Sequence, residues 1–177
     1  MNTEDMISQS DLQWLIDRMK IRDCLGRYTR GLDRHDGALI ASAFWPEAEI
    51  FYGKRFEGDL DDFVEWSNAS HAERWTQHSH NITNQNVAFD DDRSGADVES
   101  YVQFFHRAIG DGVSIGVGRY IDRFEQRGGE WKIISRLLVV DMMLDAEHLD
   151  FDASGFPVGK WGEGDPSYSR PFGGPRN

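Results

Sequence analysis

The sequence predicts an α+β fold, a cone-shaped α+β barrel in which three N-terminal helices pack on a curved, mostly antiparallel sheet that encloses a pocket. Two observations carry that reading. Apolar residues recur at helical spacing as far as Trp75, after which the period changes from near four to two. The alternating segments that follow, 77–89, 96–109, 113–125 and 130–144, read as long strands separated by short Gly- and Asp-rich breaks. Helices followed by strands is the α+β pattern. A curved sheet cannot close tightly over a long helix, so a cavity is expected between them.

The first helix is long. Ser10 and Gln13 have the spacing of a capping box, so the helix is expected to start there. Leu12, Leu15, Ile16, Met19, Leu25, Tyr28 and Leu32 form one apolar stripe along it, with Asp33 beside its exit. Gly31 weakens the helix at that point. Asp36 can cap a short second helix burying Leu39, Ile40, Ala43 and Phe44, and Pro46 is expected to end it. Glu49 to Tyr52 reads as a short strand stopped by Gly53, and a third helix is expected from Asp59 to Trp75.

The breaks Asp90–Gly95, Gly110–Gly112 and Arg127–Gly129 are hairpin signals, so the four strands should pair in sequence. Gly116 and Gly118 inside the third of them suggest a bend or bulge. The 177 residues fit one barrel domain over 1–148, followed by an extended Gly- and Pro-rich arm over 149–177. Trp161, Tyr168 and Phe172 give the arm something to pack with.

Bulk composition narrows the function. A net charge of −12 argues against nucleic acid and anionic membrane as main partners. The single cysteine, Cys24, excludes an internal disulfide and fits a reducing compartment. The N-terminal residues lack the basic and apolar regions of a signal peptide, and no window has the run of apolar residues a membrane span needs. The expected location is the cytoplasm.

Chemistry is expected where the first helix ends and the first long strand begins. Asp33 and His80 can face each other across the cavity, where a carboxylate fixes the tautomer of an imidazole and raises the basicity of its other nitrogen. His78 shares the face of His80, so either could be the base. Alternation places Asn84 on that face too, as a polar pocket lining. Tyr28, on the buried stripe, is either a core aromatic or a donor to a developing oxyanion, and Tyr52 is a similar candidate. Arg136 alternates with Ile134 and Leu138 in an apolar strand, where a guanidinium needs a carboxylate or a substrate oxygen. No metal is expected, because no HExxH, paired CxxC or EF-hand spacing occurs. P-loop, dinucleotide-binding and nucleophile-elbow motifs are absent as well.

With these residues in hand, the chain resembles the SnoaL-like branch of the nuclear transport factor 2-like superfamily. That branch includes scytalone dehydratase, bile acid 7α-dehydratase and hexachlorocyclohexane dehydrochlorinase. The likeness rests on RYTRGLDRHD after an amphipathic helix, AFWPEAEI, the QHSHNITN strand start and GGEWKIISR, and spans about residues 10 to 145. It implies that Asp33 and His80 form a proton-transfer dyad, that Tyr28 and Tyr52 are its phenols and that Arg136 is its arginine. It also implies a metal- and cofactor-independent lyase that works as a trimer or dimer, with the DPSY segment near the end closing over a pocket. The many aromatic residues suggest a small apolar substrate, aromatic or polycyclic. An isomerase or a formaldehyde-releasing C–C lyase could use the same dyad. So could the cone serve as a non-catalytic ligand-binding or partner-subunit module.

Overall fold

A computed structural model describes residues 7–110, 112–147 and 156–168. Expectations for residues 1–6, 149–155 and 169–177, including much of the C-terminal arm, lie outside the described residues. The element order is α1 (Gln9–Arg34), α2 (Gly37–Ala41), β1 (Phe44–Phe51), β2 (Glu57–Gly58) and α3 (Leu60–Ala72), followed by β3 (Trp75–Phe89), β4 (Gly95–Ala108), β5 (Gly112–Arg127) and β6 (Glu130–Glu147). Three helices thus cover a curved, unclosed six-stranded sheet in the order β2-β1-β6-β5-β4-β3. Every pairing is antiparallel except the parallel β1–β6 contact.

The start of α1 differs from the expected one. Ser8 is the cap, because Asp11 three residues on completes a reciprocal box with it. Ser10 is held instead by Arg93, from the β3–β4 turn, through its carbonyl and hydroxyl. The apolar stripe also divides. Ile21, Cys24, Leu25, Tyr28 and Leu32 are buried, whereas Leu12, Leu15, Ile16 and Met19 are exposed. The N-terminal half of the helix is tethered through a polar residue: buried Asp17 accepts from the Trp131 indole at 2.9 Å and the Gln126 amide at 3.3 Å.

Gly31 does not fray the helix, which runs on to Arg34. A Cβ there would stand 2.7 Å from the Ile40 backbone nitrogen, so glycine is what lets α2 cross α1 closely. Asp36 caps α2 by accepting from Leu39 N at 2.9 Å. Pro46 does not end that helix. It lies inside β1, at the register shift between Phe44 and Glu49 where β1 parts from β6, a position that needs no ladder donor. Trp75 opens β3 rather than closing α3. The bend near Gly116 and Gly118 is present: the ladder shifts between Val117 and Gly118, the Phe104 ring lies over Gly116, and the Val139 carbonyl abuts Gly118.

The core lies between the helices and the inner face of the sheet, around Tyr28, Phe63, Val102, Phe124 and Ile133. Within it sits a buried ion pair. Arg136 donates through Nε and Nη2 to the two carboxylate oxygens of Asp122, each at 2.7 Å, and both side chains are 0% exposed. Its guanidinium lies 4.1 Å from the Tyr28 ring centre and 4.0 Å from that of Tyr120. Of the two partners expected for Arg136, a carboxylate or a substrate oxygen, it takes the first, and with 0% exposure it is not a substrate contact; Asp122 itself has no signal in the sequence. The simple alternation with Ile134 also fails. Ile133 faces Phe124 and Ser135 faces Arg123, so Ile134 is an extra residue in a bulge, and Arg136 shares its face with Trp131 and Ile133.

The described part of the C-terminal segment packs on the end of α1. Asp165 pairs with Arg34 at 3.2 Å, Tyr168 donates to Asp36 at 2.7 Å, and Trp161 stacks on His35 at 3.7 Å. Among the described residues no helix is long and apolar enough to cross a membrane.

Two stability outcomes follow from this packing. Asp122→Asn leaves a guanidinium buried without its anion and should cost about 3–5 kcal/mol of unfolding free energy, read by urea denaturation. Gly31→Ala drives a methyl into the α2 backbone and should cost about 1–3 kcal/mol, read as a lowered thermal midpoint.

Candidate active site

Asp33 occupies the last turn of α1, and His80 lies early in β3, the strand at the free edge of the sheet. The structure brings them into contact. Asp33 Oδ1 accepts from His80 Nδ1 at 2.7 Å and from the His80 backbone N–H at 3.0 Å, while Oδ2 lies 3.1 Å from that N–H. The side chains are 14% and 6% exposed respectively. With Nδ1–H donating to the carboxylate, the lone pair of the imidazole resides on Nε2.

His80 borders a cavity of about 130 Å³ lined also by Tyr28, Tyr52, Phe63, Trp66 and Phe104. The Tyr28 and Tyr52 hydroxyls are 2.6 Å apart. Burial pushes both phenols above the ordinary tyrosine range, so each keeps its proton at neutral pH and can donate it in a hydrogen bond. Phe63 and Trp66 from α3 close the aromatic wall against Tyr52.

The other sequence-predicted residues fall elsewhere. His78 is buried, and its Nε2 donates to the Leu32 carbonyl at 2.7 Å, leaving Nδ1 without a partner among the described residues. It therefore carries no carboxylate as His80 does. Asn84 is exposed and does not line the pocket. The β3–β4 register shifts between Ile82 and Gln85, and this bulge turns Thr83 and Asn84 outward together, resetting the alternation that predicted an inward Asn84.

Two further imidazoles border the cavity beside His80: His71, which the sequence did not single out, and His106, which it offered only as a polar residue of the sheet with no distinguishing spacing. Together with His35 and His78 they form a cluster of imidazoles at the mouth of the cone. Burial is the first cause that lowers their pKa values, to about 2 for His71, about 3 for His106 and about 4 for His35. These rings are neutral near pH 7. The signals existed: His71 follows Phe63 and Ser67 on the buried stripe of α3, and His106 stands opposite His78 in the β3–β4 hairpin. A larger cleft of about 430 Å³ lies outside the smaller cavity, between Asp33, His78 and His106 and the segment Gly159 to Trp161.

The comparisons with known proteins agree with this fold. A family model described as a SnoaL-like domain matches residues 13–137. No curated protein matches the sequence. Among solved structures, a protein from Novosphingobium aromaticivorans provisionally described as a scytalone dehydratase superposes with a TM-score of 0.67 at 23% identity, covering 76% of this chain and 91% of that one. The hexachlorocyclohexane dehydrochlorinase LinA-type3 of Novosphingobium barchaimii does so with a TM-score of 0.72 at 20% identity, covering 80% and 97%. A LinA Type2 enzyme of the same description gives 0.73 at 19% identity over 82% and 99%. At these identities the likeness speaks for the fold. With most of its length matched by the family model, the chain belongs to the SnoaL-like domain family of the nuclear transport factor 2-like superfamily.

Proposed function

We propose that this protein is a cofactor-independent lyase in which His80 Nε2 removes a proton from carbon and Asp33 holds the imidazole for that task. The observation that carries the reading is the 2.7 Å contact between His80 Nδ1 and Asp33 Oδ1 at the wall of a cavity lined mainly by aromatic side chains, with Leu32, Ser67 and Leu138. A carboxylate on one imidazole nitrogen fixes the tautomer and stabilises the imidazolium formed as the other nitrogen takes a proton. As the C–H bond breaks, its electron pair forms the new C=C bond and a group on the neighbouring carbon departs with its bonding pair. For a hydroxyl leaving group, imidazolium returns the proton to the departing oxygen, so water is released and His80 is regenerated. Tyr28 and Tyr52 are neutral phenols; one donates to the other, and the proton left free would be given in a hydrogen bond to an oxygen on which negative charge builds.

The names of the structural neighbours, dehydratase and dehydrochlorinase, support elimination over other outcomes. A cavity of about 130 Å³ favours a single ring or a short chain over a polycyclic substrate. Isomerisation is the second reading, favoured by the paired phenols, since a substrate without a leaving group would be reprotonated at another carbon from the same enolate.

The test is a turnover screen of small aryl and polyketide-type alcohols in the presence of chelator, with alkene formation followed by absorbance and deuterium uptake from heavy water by NMR. His80→Ala should abolish turnover, and Asp33→Asn should lower it roughly 10²–10⁴-fold. Deuterium uptake without elimination would select isomerisation. Undiminished turnover in His80→Ala would remove the dyad from the mechanism, and a folded protein that binds these compounds without converting them would make the cone a ligand-binding module.

A further inference from the structure

We propose that His71, His80 and His106 form a binding site for a divalent transition-metal ion of the zinc class, and that this ion competes with proton abstraction for the same nitrogen of His80. The second half rests on the reading of His80 as general base; the first half does not.

Three elements supply the three imidazoles: α3 brings His71, β3 brings His80 and β4 brings His106. Their ring centres form a nearly equilateral triangle, 5.9 Å from His71 to His80, 5.8 Å from His71 to His106 and 5.7 Å from His80 to His106. One donor nitrogen from each lies within 4.8 Å of the other two. A tetrahedral zinc bound about 2.0–2.1 Å from each nitrogen holds imidazole ring centres roughly 5 Å apart. The observed triangle is about 1 Å wider than that spacing.

The electronic state of the rings fits as well. Both nitrogens of His106 and Nδ1 of His71 are buried with no hydrogen-bond partner among the described residues. An unpartnered buried polar atom costs about 1–3 kcal/mol, and an ion taking one nitrogen from each ring would relieve that cost at His106 and, through Nδ1, at His71. Burial keeps His71 and His106 unprotonated at neutral pH, so a cation meets lone pairs and not charge. His80 already has the outer partner that metal-bound histidines use, since its Nδ1–H donates to Asp33 and its Nε2 is left to coordinate. Imidazole donors select zinc, copper, nickel and related ions over magnesium and calcium. The fourth position would open toward the aromatic cavity shared by all three histidines.

A second set, His35, His71 and His78, also has donor nitrogens within 4.8 Å. It is less regular, with ring centres 6.1, 5.1 and 4.5 Å apart. The His35 ring is also committed to a stack on Trp161 at 3.7 Å. His71 belongs to both sets, so one ion excludes a second of the same kind.

The deciding experiment titrates chelator-stripped wild-type protein with Zn²⁺ by calorimetry and with Co²⁺ by visible absorption, whose intense ligand-field bands mark a tetrahedral site. The expected result is one ion per chain, with affinity falling at least tenfold in His71→Gln and in His106→Gln, about 10–100-fold in Asp33→Asn, and unchanged in His78→Gln. X-ray absorption of the zinc-loaded wild type should count three imidazoles, which needs no variant to fold. Absence of one-to-one binding, unaltered affinity in folded His106→Gln, or weakening by His78→Gln in place of His106→Gln would each overturn the assignment. Where a turnover assay exists, Zn²⁺ should inhibit it and chelator restore it; activity indifferent to a bound ion would overturn the competition. Binding is read without substrate, so zinc held by these imidazoles in a protein that turns nothing over supports the site and sinks only the base reading.

Discussion

Asp33 reaches from the last turn of α1 to β3, where it accepts from both the backbone N–H and the imidazole of His80. Helix and sheet meet at the cone mouth through that carboxylate. Locally it is poorly placed, because an anion in the last turn opposes the helix dipole by about 0.3–1 kcal/mol. Charge-assisted hydrogen bonds, worth about 1.5–3 kcal/mol each, more than offset that cost. The contact also protects the sheet: β3 has no neighbour beyond it, and the carboxylate occupies one of the N–H groups such an edge leaves open. The orientation of His80 and the closure of the fold thus depend on the same atoms.

The residues just after Asp33 extend the arrangement outward. His35 ends α1 with φ at 52°, in the left-handed region where glycine is the usual choice. A histidine there carries local strain, and its ring is what stacks on Trp161. Arg34 and Asp36 on either side hold Asp165 and Tyr168. Three consecutive residues therefore anchor the C-terminal segment, while the one before them anchors the sheet. A departure from helix-capping preference at this point is compensated by tertiary contacts on both sides, the pattern expected where function constrains a sequence.

The architecture was legible because its signals are local. The change of period at Trp75 and the Gly-rich breaks define the strands, and Gly128 and Gly129 adopt the positive φ angles of a tight hairpin turn. The Asp33–His80 juxtaposition was legible too, since a helix exit and the start of a long strand meet at one end of such a cone. Asn84 and the environment of Arg136 were not, because Asn84 lies in a bulge and Arg136 just beyond one, and one inserted residue resets the alternation of faces. The stripe on α1 misled for another reason. Periodicity reports an apolar face, but only a partner can bury it, and Leu12 to Met19 have none among the described residues. The meeting of His71 with His106 was not legible, because it requires the hairpin register and the placement of α3 together.

The pair formed by Arg136 and Asp122 bears on the chemistry without reaching the cavity. Burial raises the pKa of Tyr28, and the positive charge beneath its ring pulls in the opposite direction. The phenol therefore stays protonated yet is a stronger donor than a tyrosine buried among hydrocarbons. Tyr52, hydrogen-bonded to Tyr28, is held well above the ordinary tyrosine range by burial first and then by its phenol neighbours. Asp122 pairs with the guanidinium in place, so no uncompensated charge is left in the core. A hydrophobic pair of equal volume could support the fold as well, since buried ion pairs contribute little net stability. It would set no cation against the rings of Tyr28 and Tyr120, and that difference connects the deepest part of the core to the phenols that line the cavity.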